Sequence, residues 1–204
     1  MKIKPAQGLG VVLISLLIAE LTLILLSWIL SAAGVEGVRS LLSGEGVRWF
    51  VGDFAGMVAS PLLVWLILLL MAIGAFLRSG LSMLWHEGRS RIMSYRDRTA
   101  FRVSLVLLVA YIVAILLLTV VPHAILLSVS GSLFPSPFSR SIIPIVAFGI
   151  TLVCIAFGMI SGRMQSLSDI LDALSYGICK YAPLLVLYIF CIMFYQSLRF
   201  VLYY

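Results

Sequence analysis

The chain has 204 residues, of which 63% are hydrophobic and only 11% charged. A soluble domain carries about 25% charged residues, so this composition excludes an ordinary water-soluble fold and points to a protein of the bilayer. The formal charge of +6 does not imply nucleic acid, because the basic residues cluster beside apolar runs, where they set membrane topology.

In chain order, a short basic start with Lys2 and Lys4 precedes a first apolar span over 11–33. It is longer than the roughly 7–15 apolar residues of a secretory signal, which predicts a retained signal-anchor helix. Ser31-Ala32-Ala33 leaves cleavage there as the alternative. Residues 34–56 are mixed and glycine-rich, with Glu36, Arg39, Glu45, Arg48 and Asp53. Trp49 and Phe50 suit the headgroup zone, so an outer interfacial helix is expected over 38–51. A second span follows over 58–77, with Pro61 in its first turn, where a missing N–H costs little.

Residues 78–100 form the most basic loop. With Arg102, this region holds Arg78, Arg89, Arg91, Arg96 and Arg98 against Glu87 and Asp97. Positive charge marks the cytoplasmic side, which puts the N-terminus in the cytoplasm too. A third span runs over 101–121 and ends at Pro122; a fourth covers 141–160, with Pro144 in its first turn. Over 166–180, Leu167, Ile170, Leu171, Leu174 and Ile178 recur at helical spacing, which predicts an amphipathic helix on the cytoplasmic surface. Ser166 and Asp169 have capping-box spacing there. The last apolar segment, 181–201, is a fifth span or a re-entrant segment.

The fold class is therefore all-α: one membrane domain over 1–204, a polytopic bundle of about five spans plus two interfacial amphipathic helices. Under this topology the inner segments hold ten of the 14 Lys and Arg residues; Arg39, Arg48, Arg140 and Arg199 lie outside. The expected location is a bacterial inner membrane, multi-pass.

Glu20 is the sharpest single residue. It sits mid-span, where an ionised carboxylate costs about 2.5–3.5 kcal/mol to insert. It must be protonated, paired or turned to a polar cavity. One reading is a proton carrier; the other is an interhelical or intersubunit hydrogen bond, for example to Ser27 of a neighbouring copy. Gln196, Ser197 and Arg199 form a second polar group; Arg199 either meets a carboxylate ligand or snorkels to the interface. Asp169 and Asp172 read as helix-capping residues. His86 and His123 fall on opposite sides and share no metal. Cys154, Cys179 and Cys191 read as small packing residues. No metal or cofactor is expected. Gly52 and Gly56, like Gly158 and Gly162, have the spacing that lets helices approach closely, for packing or oligomerisation.

Several motifs, in order, resemble the p-aminobenzoyl-glutamate transporter (AbgT) family. They are Ser31 to Val35, Leu41 to Trp49, Gly74 to Leu81, Pro122, Gly131 to Leu133, Ser136 to Phe138, Ile142 to Pro144, Gly158 to Gly162 and Ser168-Asp169. Against that family the chain reads as a shortened member, lacking the central hairpin region near 85–97 and the C-terminal part. Phe194-Tyr195-Gln196-Ser197 stands where the family has a polar Phe-Asn-Trp-Ser element. The resemblance implies proton-coupled transport of p-aminobenzoyl-glutamate or related antifolates, with Glu20, Gln196, Ser197 and Arg199 as candidates for the path. The alternative is a non-transporting scaffold or accessory subunit that keeps only the frame. Expected partners are membrane lipid, a second copy or a membrane partner protein, and a small aromatic carboxylate; nucleic acid is not one. With no Ser–His pair, facing Asp dyad or metal cluster, the sequence does not read as an enzyme.

Overall fold

The computed structural model describes residues 5–35, 37–82, 95–120 and 137–202. It is all-helical among these residues: α1 (Pro5–Ala32), α2 (Gly44–Val58), α3 (Pro61–Ser79), α4 (Tyr95–Val120), α5 (Pro137–Ser161), α6 (Leu167–Lys180) and α7 (Ala182–Leu202). Among the described residues, five apolar stretches are long enough to cross a membrane: Gly8–Ala32, Gly44–Ser79, Tyr95–Thr119, Ser141–Ser161 and Ala182–Leu202. Helices satisfy their own backbone groups, which is why apolar runs of this length take that form in hydrocarbon. The expectations for His86, His123, Arg89, Arg91, Pro122 and Gly131 to Leu133 lie outside the described residues.

The described residues divide into two compact units, one from residues up to Val64 together with Ala182 onward, the other from Trp65 to Tyr181. In the first unit, α1 runs parallel to α7 and α2 antiparallel to it. Leu41, Phe200 and Val201 form the buried centre, with Leu23, Ile24, Val38 and Trp49 packed around them. The Trp49 and Phe200 rings stack with centroids 4.3 Å apart. Ser27 ties α1 to the segment before α2: its Oγ donates to the Ile24 carbonyl at 2.8 Å and accepts from the Leu41 N–H at 3.2 Å. That hydroxyl is fully buried, so its partners lie within the chain rather than on a neighbouring copy. Ser27→Ala is expected to cost about 1–3 kcal/mol, because it strands a buried N–H; thermal unfolding in detergent measures this.

The 36-residue stretch Gly44–Ser79 is broken at Ala59 and Ser60. Pro61 has no N–H to continue α2, so it starts α3 instead. The loosened carbonyl of Val58 accepts from the Ser60 N–H at 2.8 Å and from the Tyr188 hydroxyl at 3.2 Å, and the Ser60 and Tyr188 hydroxyls bond to each other. This span therefore has a polar break held by α7. The helix expected over 38–51 forms over 44–58 instead, because Ser43 caps it by accepting from the Gly46 N–H at 3.0 Å.

In the second unit, α4 and α5 pair through the Tyr111 hydroxyl, which donates to the Ile145 carbonyl at 2.8 Å. Pro144 lies inside α5 rather than in its first turn, because the helix already starts at Pro137, itself suited to an N-terminal position. Gly162 adopts φ +79° and ends α5, and the Arg163 N–H returns to the Gly158 carbonyl at 2.9 Å. Gly158 and Gly162 therefore serve a helix end, with Met164 and Arg96 close over them, not the helix–helix contact that their spacing suggests. The close contact is between α3 and α6, at Gly74, Ala173 and Gly177. Cys154 is buried, but Cys179 and Cys191 are exposed, which corrects the packing role expected of those two.

The capping box at α6 is present. Asp169 accepts from the Gln165 and Ser166 N–H groups at 2.8 and 2.9 Å, and Ser166 Oγ accepts from the Asp169 N–H at 3.3 Å. The two backbone N–H bonds hold the Asp169 carboxyl below its ordinary 3.8. A lowered folded-state pKa stabilises α6 above the unfolded value and loses that support as pH falls through the folded one. Fraying of the first turn of α6 is thus expected only below about pH 4, and Asp169→Asn is expected to remove the pH dependence. Hydrogen exchange of the Asp169 and Ile170 amides against pH checks both.

Candidate functional site

The first unit brings two of the four sequence-predicted site residues together. Glu20 lies mid-way along α1, on the face that carries Leu23, Ile24 and Ser27 toward α7. Ser197 lies in the last turns of α7 and is buried. Its Oγ donates to Glu20 Oε1 at 2.7 Å. The other carboxylate oxygen, Oε2, is buried without a hydrogen-bond partner. The carboxyl is therefore half-satisfied: one oxygen held, one presented to low-dielectric surroundings. An ionised carboxylate would leave a charged oxygen unsolvated there, a costly arrangement. The contact is the interhelical hydrogen bond offered above as one reading of Glu20, made to Ser197 of the same chain, and it leaves one carboxylate oxygen buried without a partner.

Gln196 and Arg199 do not join this contact. On a helix with about 100° between residues, positions 196, 199 and 200 share one face and 197 turns away from it. Gln196, Arg199 and Phe200 instead line an open cleft of about 380 Å³ with Arg39, Glu45, Trp49 and Asp53. Glu45, Trp49 and Asp53 stand four residues apart on α2, one above another. Arg39 reaches Glu45 at 3.2 Å, an exposed ion pair worth about 0–1 kcal/mol. The Trp49–Phe200 stack supplies the apolar wall.

Sequence reasoning missed Arg39, Glu45, Trp49 and Asp53 as site residues. Their signal was the Glu-Trp-Asp stripe at four-residue spacing. It becomes readable only when the helix continues to residue 53, past the boundary expected at 51.

In the second unit, Arg78, Arg163, Met164, Asp169 and Asp172 line a smaller cavity of about 150 Å³. Arg163 donates to the Ser79 carbonyl at 3.1 Å and lies 3.8 Å from Asp97. Arg163 and Asp169 are thus already engaged in joining and capping helix ends. Among the described residues, no three His, Cys, Asp or Glu side chains are placed to hold a metal ion.

Residues 84–200 match the sequence model of the AbgT putative transporter family. The match includes Gln196, Ser197 and Arg199 and leaves Glu20 and α2 outside it. No curated protein and no solved structure matches the chain.

Proposed function

For a chain that belongs to the AbgT transporter family, matched over more than half of its 204 residues, we propose proton-coupled transport of p-aminobenzoyl-glutamate or a related antifolate, with Glu20 as the proton site. The observation that carries the reading is the Glu20–Ser197 contact with its second carboxylate oxygen buried and unpartnered. Two features support it. The span Gly44–Ser79 is broken between α2 and α3, and interrupted helices are how many transporters expose backbone oxygens at depth. The cleft over Gln196 and Arg199 offers a guanidinium beside aromatic rings, a match for an aromatic carboxylate. We place the chain in a bacterial inner membrane on the family resemblance, and its N-terminus in the cytoplasm from the arginine distribution.

A second reading is a non-transporting subunit held to a partner or a second copy. It draws on the wide apolar surface of α1 and α2, where Val11, Ile18, Leu21, Val51 and Phe54 are exposed; lipid covers such surface equally well. Uptake of labelled p-aminobenzoyl-glutamate into proteoliposomes under an imposed pH gradient separates the two. Saturable, gradient-dependent uptake supports the transporter. Its absence with folded protein, in either gradient direction, sinks transport of this substrate by the isolated chain.

A further inference from the structure

The arginine-rich end of the second unit holds two cations that the contacts described so far do not use. Arg78 lies in the last turn of α3 and Lys180 in the last turn of α6. Both turn to one ring. The Arg78 guanidinium stands 5.2 Å from the Tyr176 centroid. The Lys180 ammonium stands 5.6 Å from it and 5.7 Å from that of Tyr181. Arg78, Tyr176 and Lys180 are all exposed. Among the described residues, neither cation takes part in an ion pair or a hydrogen bond. A ring face attracts a cation without neutralising it.

The neighbouring carboxylates do not cancel this charge. Asp169 is held by the Gln165 and Ser166 N–H groups, and Asp97 faces Arg163. Asp172 lines the cavity of about 150 Å³ that Arg78 also lines, yet forms no ion pair with it. Arg96, Arg98 and Arg102 in the first turns of α4 add to the positive excess, and Arg96 comes close to Gly162, next to Arg163.

Position selects the source of the anion. The α6 backbone meets α3 at Gly177, against Leu70 and Gly74. Lys180 is therefore anchored further inside the span than Arg78. Its ammonium returns to Tyr176, toward the helix N-terminus, as side chains on a helix lean. That is how a long cation reaches the headgroup layer from an anchor below it. Tyrosine suits the same layer, and basic pockets between spanning helices on the cytoplasmic side take anionic headgroups.

We propose that Arg78 and Lys180, around Tyr176, bind the headgroup phosphate of an anionic phospholipid. The site is separate from Glu20 and stands without the transport reading.

Native mass spectrometry of the full chain, titrated with phosphatidylglycerol or phosphatidylcholine in detergent, tests this. Wild type is expected to bind phosphatidylglycerol saturably and about tenfold more tightly than phosphatidylcholine, whose headgroup carries its own cation. Arg78→Gln and Lys180→Gln should each weaken phosphatidylglycerol about fivefold and leave phosphatidylcholine unchanged. Arg78→Lys and Lys180→Arg should keep the preference. Asp172→Asn removes the competing carboxylate and should tighten phosphatidylglycerol, a gain that lost folding does not produce. Equal affinity of wild type for the two lipids overturns the site. So does a fall in both affinities alike in the glutamine variants, which would leave the two cations only clamping α3 to α6. An unchanged or weaker affinity in Asp172→Asn removes the phosphate from beside Arg78. Displacement of phosphatidylglycerol by equimolar glycerol 3-phosphate would make this a site for soluble phosphates and overturn the lipid assignment.

Discussion

Glu20→Gln is expected to abolish gradient-driven accumulation while leaving the protein folded and able to exchange substrate. Glutamine keeps an oxygen for Ser197 Oγ, which now donates to Glu20 Oε1 at 2.7 Å, so the α1–α7 contact survives. What is lost is the carboxyl group proposed above as the proton carrier. One pH unit is worth about 1.4 kcal/mol per proton, a tenfold accumulation at one proton per substrate. Wild-type vesicles under a one-unit gradient should therefore approach about tenfold accumulation, and Glu20→Gln vesicles about onefold. Exchange of labelled for unlabelled substrate at equal pH should persist in the variant, since that step moves no net proton. Accumulation by Glu20→Gln at the wild-type level would remove Glu20 from the coupling path. Loss of exchange as well would assign Glu20 to the substrate path instead.

The helical, five-span character was legible because an apolar run of about 20 residues has few ways to satisfy its backbone in lipid. The capping box at Ser166 and Asp169 was legible for a similar reason: it is local chemistry at a fixed spacing. Glu20 and Ser197 were each readable as polar residues in apolar surroundings, but their pairing was not. They stand 177 positions apart, and only the register of α1 against α7 brings them together. The cleft was hidden by a boundary. Asp53 joins Glu45 and Trp49 on one face only because Ser43 and Pro61, rather than composition, set where α2 starts and stops. Glycine spacing did not locate the close contacts within the chain, for a different reason. Gly52 and Gly56 have the expected interval, yet a Cβ on either would meet nothing within 4 Å. The glycines in close contact, Gly74 and Gly177, lie on different helices, and no interval within one helix reveals them.

Gly177→Ala is expected to be the most destabilising methyl-sized change in the second unit. An added Cβ would overlap the Leu70 carbonyl oxygen and lie 2.7 Å from the Gly74 nitrogen and 2.9 Å from its Cα. Those are backbone atoms of α3, which cannot swing aside as a side chain can. Reciprocally, a Cβ on Gly74 would lie 2.5 Å from the Ala173 carbonyl oxygen and 2.6 Å from the Gly177 nitrogen. Either substitution forces α3 and α6 apart, forfeiting packing along both, at or above the roughly 1–3 kcal/mol of ordinary overpacking. Intrinsic propensity works the other way, since alanine favours a helix over glycine by about 1 kcal/mol. Gly52→Ala isolates that opposing effect, because the space around it is open, and should be neutral or slightly stabilising. Gly74→Ala with Gly177→Ala should cost less than the two single losses added, because the first methyl has already separated the helices that the second would push. Thermal unfolding of the four variants in one detergent decides the matter. A Gly177→Ala protein as stable as Gly52→Ala would mean that α3 and α6 do not meet backbone to backbone, and the small residues at 74, 173 and 177 would lose their explanation.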